Sequence, residues 1–273
     1  MLALPRKADA IHGAAGTHHG DKAATLDSRG RSRALLTMAL VVATLLLFLC
    51  SLVVGSRTIP LPDLFSALLH GGEADIENIV WDLRIPRTFV AYFAGAAIAV
   101  SGVIAQSWTR NPLADPGFIG ITAGASFLVA LGTTLGIATS TGMRTALALL
   151  GAGLATALVL GVSRRFQDPL TLVLVGAGVA AALSSSAMLF GLYSTDVLDS
   201  MRRWTIGSTF GRGPEDVAIA GVGLLIGFII AARVARPLDL LAMGEESSVA
   251  LGGSPALARR GAALSIVVLA GCA

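Results

Sequence analysis

The residues in this chain that point most clearly to a chemical role are two arginines three positions apart. Arg84 and Arg87 lie in the segment 83–87, LRIPR, directly before a long apolar run. Guanidinium groups form paired, charge-assisted hydrogen bonds with carboxylates, so this spacing suits the docking of an acidic soluble partner. It suits equally well the anchoring of a helix end to lipid headgroups. The residues alone leave both interpretations open.

A second polar segment follows the same apolar run and predicts a turn. Its two prolines lack a backbone donor and disfavour helix in the preceding residue, so one helix must end here. Asp115 is placed to cap the next helix, with Pro116 in its first turn. The predicted turn consists of Asn111, Pro112, Leu113, Ala114, Asp115, Pro116 and Gly117.

The longest polar interruption after the first apolar run is the segment 236–260. Within it, Gly244, Glu245 and Glu246 lead a short helical stretch. That stretch stops at Gly252, with Pro255 beyond, as helix ends commonly do. On the residues alone it is either a solvated loop or an element that a partner binds.

The chain lacks the groups that an enzyme or a self-powered pump requires. Its apolar runs hold no His, and no zinc-protease motif or nucleophile elbow occurs. Ion-coupled transporters keep ionisable residues at membrane depth, and these runs have essentially none. A phosphate-binding loop needs a lysine after glycine, but Lys7 and Lys22 lie in the N-terminal tail. We therefore predict that this chain is not an enzyme, holds no metal or cofactor, and depends on a partner for energy.

Composition places these segments between membrane spans. Hydrophobic residues make up 54% and charged residues 14% of the chain, with a mean hydropathy of +0.77, whereas soluble domains have about 25% charged residues. We predict an all-α, polytopic helical bundle of six complete spans, with the start of a seventh at 262–273. The complete spans are expected at 34–55, 88–108, 117–138, 145–162, 170–192 and 217–234.

Charge patterning predicts the orientation of these spans. Residues 1–33 are expected to be a disordered cytoplasmic tail, since they have no apolar period and end in an arginine cluster. This orientation puts Arg84 and Arg87 outside, and the turn and the segment 236–260 inside. Glycines four apart predict close helix packing. These pairs are Gly120 with Gly124, Gly132 with Gly136, and Gly223 with Gly227.

From about residue 35 to its end, the chain resembles the FecCD-type permeases, the membrane subunits of ABC importers for iron–siderophore complexes, haem and vitamin B12. The resemblance rests on LRIPR, on RNPLADPG followed by Gly-Ile-x-x-Gly-Ala, and on the segment GEESSVALG. It implies that Arg84 and Arg87 face acidic residues of a substrate-binding protein. It also implies a coupling helix that docks in a groove of the ATPase. Its residues are Leu241, Met243, Gly244, Glu245, Glu246, Leu251 and Gly252.

The resemblance further implies a complete set of partners. These are a second permease subunit, identical or different, two ATP-binding subunits that use the ATP, and an extracytoplasmic binding protein. Residues 34–273 would form a permease domain incomplete at its C-terminus, because family members continue to about ten spans. An iron–siderophore complex is the expected substrate. Alternatives are a channel or facilitator that works without ATP, and a non-functional permease fragment.

Overall fold

The computed structural model describes residues 14–55, 57–163, 169–192 and 194–273, and helices account for most of them. Two short segments of other helix types lie between the α-helices, a π-helix at Ile79–Arg84 and a 3₁₀ turn at Pro116–Ile119. The α-helices are α1 Ala14–Val53, α2 Leu61–Leu68, α3 Ala74–Asn78, α4 Ile85–Thr109, α5 Ile121–Thr134, α6 Thr141–Ser163, α7 Pro169–Gly191, α8 Thr195–Ile206, α9 Pro214–Ala242, α10 Glu245–Ala250 and α11 Pro255–Cys272.

In the described part of the chain, six helical stretches are long and apolar enough to cross a membrane, which confirms the predicted all-α membrane fold. The stretches are Arg31–Val53, Ala74–Thr109, Thr141–Val162, Val173–Gly191, Pro214–Ala242 and Pro255–Cys272. The number agrees with the prediction, but the set differs at two places. The third apolar run forms a short helix, and the last run forms a longer one.

The third apolar run, predicted at 117–138, contains a helix of only 14 residues, α5. Gly120 and Gly136 both adopt positive φ values, 74° and 71°, and so bound the helix at either end. Most of its side chains on one side are buried, including Ile121, Ala125 and Val129. Because neighbouring helices cover α5, it does not need the full length of a lipid-facing span.

Two helix ends extend into the segment predicted as the loop 236–260. Helix α9 continues to Ala242 despite the internal Pro237. Leu238 and Leu241 are each only 3% exposed, so burial of this face offsets the missing backbone donor. Helix α11 begins at Pro255 and runs for 18 residues, about 27 Å. The prediction began this run at residue 262 because Arg259 and Arg260 interrupt the apolar pattern, but both are exposed.

The chain divides into two units, residues 1–65 and 66–273. The first unit contains α1, which begins at Ala14, inside the segment predicted to be a disordered tail. Residues 1–13 of that tail lie outside the described residues. The segment 14–33 contains four alanines and no proline, a composition that permits a helix to continue.

In the second unit, helices α4, α5, α6, α9 and α11 share one hydrophobic core. Close backbone approach depends on glycine at several positions. An added Cβ at Gly124 would fall on the carbonyl oxygen of Gly151, and one at Gly227 would fall on Leu269. A buried hydroxyl adds to this packing, since Ser265 Oγ donates to the Gly227 carbonyl at 2.9 Å. The packing role predicted for Gly124 and Gly227 is therefore confirmed, whereas Gly120 and Gly136 serve at helix ends.

Candidate docking and coupling sites

Helix α4 separates the two groups of residues that the sequence singled out. Arg84 directly precedes the helix and Arg110 directly follows it, and its 25 residues span about 37 Å. We call residues 66–87 the docking corner. Residues 105–117 together with 238–260 form the coupling corner.

The docking corner is built around the π-helix Ile79–Arg84, which joins α3 to α4. Such segments are rare and are frequent at functional sites. Trp81 ties this segment to the end of α2, because its Nε1–H donates to the Ala67 carbonyl at 3.1 Å. His70 stacks on the Trp81 ring, with centroids 5.0 Å apart and planes 12° from parallel, and its Nδ1 contacts a Glu77 carboxylate oxygen. Side chains from three short elements therefore fix the approach to α4.

The two arginines of the docking corner differ in exposure. Arg84 is only 5% exposed, whereas Arg87 is half-buried. Both were predicted to face acidic residues of a binding protein, but the burial of Arg84 leaves Arg87 the more accessible of the two. The reason is that Arg84 ends the π-helix, and the side chains of Val80, Pro86 and Thr88 on the same stretch are also buried. Arg87 lies close enough to Arg84 for their charges to repel, so two positive charges meet at the start of α4, beside the four acidic residues of the same corner.

At the coupling corner, the predicted turn forms through side-chain hydrogen bonds to the backbone. Asn111 Oδ1 accepts from the Leu113 N–H at 2.9 Å, and Asp115 Oδ1 accepts from the Gly117 N–H at 2.7 Å. Gln106 reaches across from α4 and donates to the Pro112 carbonyl at 2.9 Å. The capping role predicted for Asp115 is confirmed, although the element it caps is a 3₁₀ turn rather than α5 itself.

The predicted coupling residues surround α10, which is held between α9 and α11. Leu241 anchors the segment in the core at 3% exposure, and Gly244 turns the chain with a φ of 114°. Glu245 and Glu246 stand exposed in the first turn of α10. Met243 and Leu251 are 64% and 59% exposed. The segment thus exposes apolar and acidic side chains, while Leu241 packs in the hydrophobic core.

Helix α10 ends in a compact junction with α11. The Gly252 N–H donates to the Val249 carbonyl at 2.9 Å, and the Gly253 N–H donates to the Ser248 carbonyl at 2.7 Å. These bonds form the pattern that commonly closes a helix at a glycine. The Ser254 hydroxyl then accepts from the Leu257 N–H at 3.4 Å and caps α11.

The structure brings the predicted turn and the predicted coupling segment together through a residue that sequence reasoning left out. The Arg110 guanidinium donates to the Leu241 carbonyl, joining positions 131 apart in the chain. Sequence reasoning also missed the ion pair between Arg259 and Glu245. In the sequence, Arg110 and Arg259 each flank a turn that contains glycine or proline, which could have marked them as candidates. The spacing of residues along the chain cannot reveal a partner as distant as Leu241 is from Arg110. The docking arginines lie at the opposite end of α4, as predicted.

Comparisons with known proteins identify similar membrane permeases. The model of the FecCD transport family matches residues 43–273. The ferric enterobactin transport system permease protein FepD of Escherichia coli K12 is 33% identical over 241 residues, which cover 87% of this chain and 71% of FepD. The iron-uptake system permease protein FeuB of Bacillus subtilis 168 is 28% identical over 235 residues, covering 85% of this chain and 70% of FeuB.

A solved structure, described as an inward-facing conformation of a metal-chelate type ABC transporter, has a similar fold. Its TM-score is 0.73 at 26% identity, over 88% of this chain and 75% of the solved one. The family match covers both corners and the helices between them. The chain therefore belongs to the FecCD transport family and is a multi-pass inner-membrane permease of an ABC importer, not an enzyme, working with ATPase and substrate-binding partners.

Proposed function

We propose that this chain moves an iron–siderophore complex or a related metal chelate across the cytoplasmic membrane. It would act as one of two permease subunits, driven by two ATP-binding subunits and supplied by an extracytoplasmic binding protein. The names of its relatives, which refer to ferric enterobactin and iron uptake, support this substrate class. ATP is used by the partner subunits and no cofactor is held by this chain, whose only lysines, Lys7 and Lys22, lie outside any glycine-rich phosphate loop.

The observation that carries the proposal is the exposed surface of α10. Met243, Val249 and Leu251 are each about 60% exposed at a helix that also carries two exposed carboxylates. A short amphipathic helix of this kind suits insertion into a groove of a soluble protein. The preceding helix α9 anchors this segment in the hydrophobic core through Leu241. Motion of an ATPase bound to α10 would therefore be passed directly to α9 and α11.

The docking corner supplies the second contact in this proposal. Arg87 is accessible enough to pair with a carboxylate of the binding protein, and its planar guanidinium favours a two-point hydrogen bond. Arg84 lies buried beside it, so a carboxylate bound to Arg87 would also lie near a second guanidinium group. Chelate released from the binding protein would then enter between two permease subunits.

The proposal is tested by uptake of radioactive iron chelates into proteoliposomes that contain this chain, its ATPase and its binding protein. Val249→Asp places a charge on the apolar surface of α10 and should abolish ATP-driven uptake. The matched control is Leu135→Asp, directly after the C-terminal end of α5 and outside the coupling corner. The two side chains are equally exposed, Leu135 at 62% and Val249 at 61%. The control should keep most of the uptake.

Two outcomes would contradict the proposal. Uptake that continues without ATP and is unaffected by Val249→Asp would identify a facilitator. Equal loss of uptake in both variants would show that α10 has no special role. A panel of iron–siderophore, haem and cobalamin substrates, assayed with the same vesicles, then identifies which chelate the importer carries.

A further inference from the structure

The coupling corner contains a contact that the proposed docking of α10 does not by itself require. Arg110 ends α4 in the left-handed conformation, with φ 53° and ψ 31°. Residues other than glycine seldom adopt this conformation. Within the described ranges, Arg110 and His70 are the non-glycine residues with positive φ. At Arg110 the backbone geometry directs the chain away from α4 while the side chain reaches α9.

The acceptor of this contact is a carbonyl at the end of a helix. Helix α9 ends at Ala242, so the Leu241 carbonyl is among the last four, which have no partner within the helix. This carbonyl also accepts the Gly244 N–H at 3.1 Å, and its two lone pairs accommodate both donors. The positive charge of Arg110 lies near the negative end of the α9 dipole, which favours the contact further.

Apolar packing around this contact also joins the same helices. Trp108 of α4, Leu238 of α9 and Ala258 of α11 lie in one buried cluster. Packed helices can slide past one another by 1–2 Å during conformational change. A hydrogen bond to one particular carbonyl allows much less sliding, because it weakens steeply with distance and angle.

From these observations we infer that Arg110 is a positioning residue that makes the turn 111–117 and the end of α9 move as one unit. The inference rests on the proposed function, since α10 is the point at which the ATPase acts. Motion of α10 would reach α4 through Arg110, and α4 leads directly to the docking corner. Arg110 would therefore affect how efficiently ATP hydrolysis is converted into transport, with less effect on ATP hydrolysis itself.

Pulsed electron–electron double resonance between two spin labels measures directly whether the turn 111–117 and the end of α9 move together. The labels are placed by Leu113→Cys on the turn and Asp239→Cys on α9, both exposed positions outside α10, in a Cys50→Ser, Cys272→Ala background. In the assembled importer, the distance between labels should change by less than roughly 2 Å between the resting and vanadate-trapped states. Arg110→Ala should broaden or shift this distance distribution.

Transport measurements on the same complex provide the functional readout. Arg110→Ala should reduce the chelate transported per ATP hydrolysed by about tenfold, the effect of losing one hydrogen bond to a charged group. Arg110→Lys keeps a charged donor and should rescue part of the loss, whereas Arg110→Gln should rescue less. Arg236→Ala removes an exposed arginine from the same part of α9 and should match the unmodified protein. If Arg110→Ala does not fold, the lysine and glutamine variants decide the question.

Two results would overturn the inference. One is a label distance that changes between states in the unmodified importer, and the other is an Arg110→Ala variant with unaltered distance and stoichiometry. Failure of the proposed function is recognised separately, as an unmodified complex that shows no ATP-driven uptake. In that case, the distribution of distances between the two spin labels in the purified full chain, with and without Arg110→Ala, would still test the contact between Arg110 and Leu241.

Discussion

The two ends of α4 are held in different ways. At the docking corner, His70, Glu77 and Trp81 interact with residues no more than 14 positions away. At the coupling corner, Arg110 reaches a carbonyl 131 positions away. Each corner contains a non-glycine residue in the left-handed conformation, His70 at the docking corner and Arg110 at the coupling corner. Of these two, Arg110 is the one that joins helices distant in sequence.

This difference suits the separate tasks proposed for the two corners. A surface that receives a binding protein needs a fixed local shape, and short-range contacts supply it. A surface driven by an ATPase must pass its motion to helices elsewhere in the bundle, and a long-range contact does so. Changes at the docking corner should therefore remain local, whereas changes at the coupling corner should alter both stability and energy conversion.

The largest expected effect comes from overpacking the junction between α10 and α11. An added Cβ at Gly253 would lie 2.6 Å from Ser248 Oγ and 2.9 Å from the Ser248 carbonyl oxygen. Since the carbonyl cannot rotate away, Gly253→Ala should destabilise the protein by about 1–3 kcal/mol and lower ATP-driven uptake. Thermal unfolding in detergent and vesicle uptake measure the two effects.

Gly95 on α4 offers a matched control for this change. A Cβ at Gly95 meets nothing within 4 Å. Gly95→Ala should leave uptake unchanged and raise stability by up to about 1 kcal/mol, because alanine loses less entropy in a helix. Similar losses in both variants would refute the special sensitivity of the coupling corner.

An intermediate effect is expected at the docking corner. Trp81→Phe keeps a ring to stack on His70 but removes the bond to the Ala67 carbonyl. The lost hydrogen bond contributes about 1 kcal/mol, so affinity for the binding protein should fall by several-fold if the π-helix positions Arg87. Biolayer interferometry with the purified complex measures this affinity, and basal ATP hydrolysis should not change. Trp204→Phe on α8 is the control, and an equal loss of affinity there would contradict the local role of Trp81.

Much of this architecture is predictable from sequence because the signals are local. Apolar runs identified the membrane helices, and the prolines and Asp115 identified the turn. The short helix α5 was less predictable, since a run of apolar residues does not show whether lipid or protein covers it. The extent of α9 past Pro237 depends on the buried faces of Leu238 and Leu241, which only the packed structure reveals.

The same limit applies to the sites. The sequence located both arginines of the docking corner, but the burial of Arg84 follows from the π-helix, which has no simple sequence pattern. It also located α10, because its glycines and acidic residues are neighbours in the chain. The contact from Arg110 to Leu241 joins two segments that are independent in sequence, so only the packing of α4 against α9 determines it.

The smallest expected effect concerns a buried hydroxyl at the coupling corner. Ser248 is 1% exposed, and its Oγ has no hydrogen-bond partner among the described residues. A buried hydroxyl without a partner costs about 1–3 kcal/mol. Ser248→Ala should therefore raise the free energy of unfolding by about 1 kcal/mol, because it removes this cost and leaves only a small space beside Gly253. Thermal unfolding of the purified protein in detergent measures the change.

Ser247→Ala is the control for this prediction, since the neighbouring Ser247 is exposed and its hydroxyl can bond to water. This variant should have the stability of the unmodified protein. ATP-driven uptake should be the same in both variants, because α10 is tied to the bundle by backbone bonds, by the ion pair between Glu245 and Arg259 and by the packing of Leu241, and neither serine side chain takes part. A loss of uptake in Ser248→Ala alone would mean that the hydroxyl binds a partner in the assembled importer. The rigidity of the coupling corner would then depend on the ATPase as well as on the chain itself.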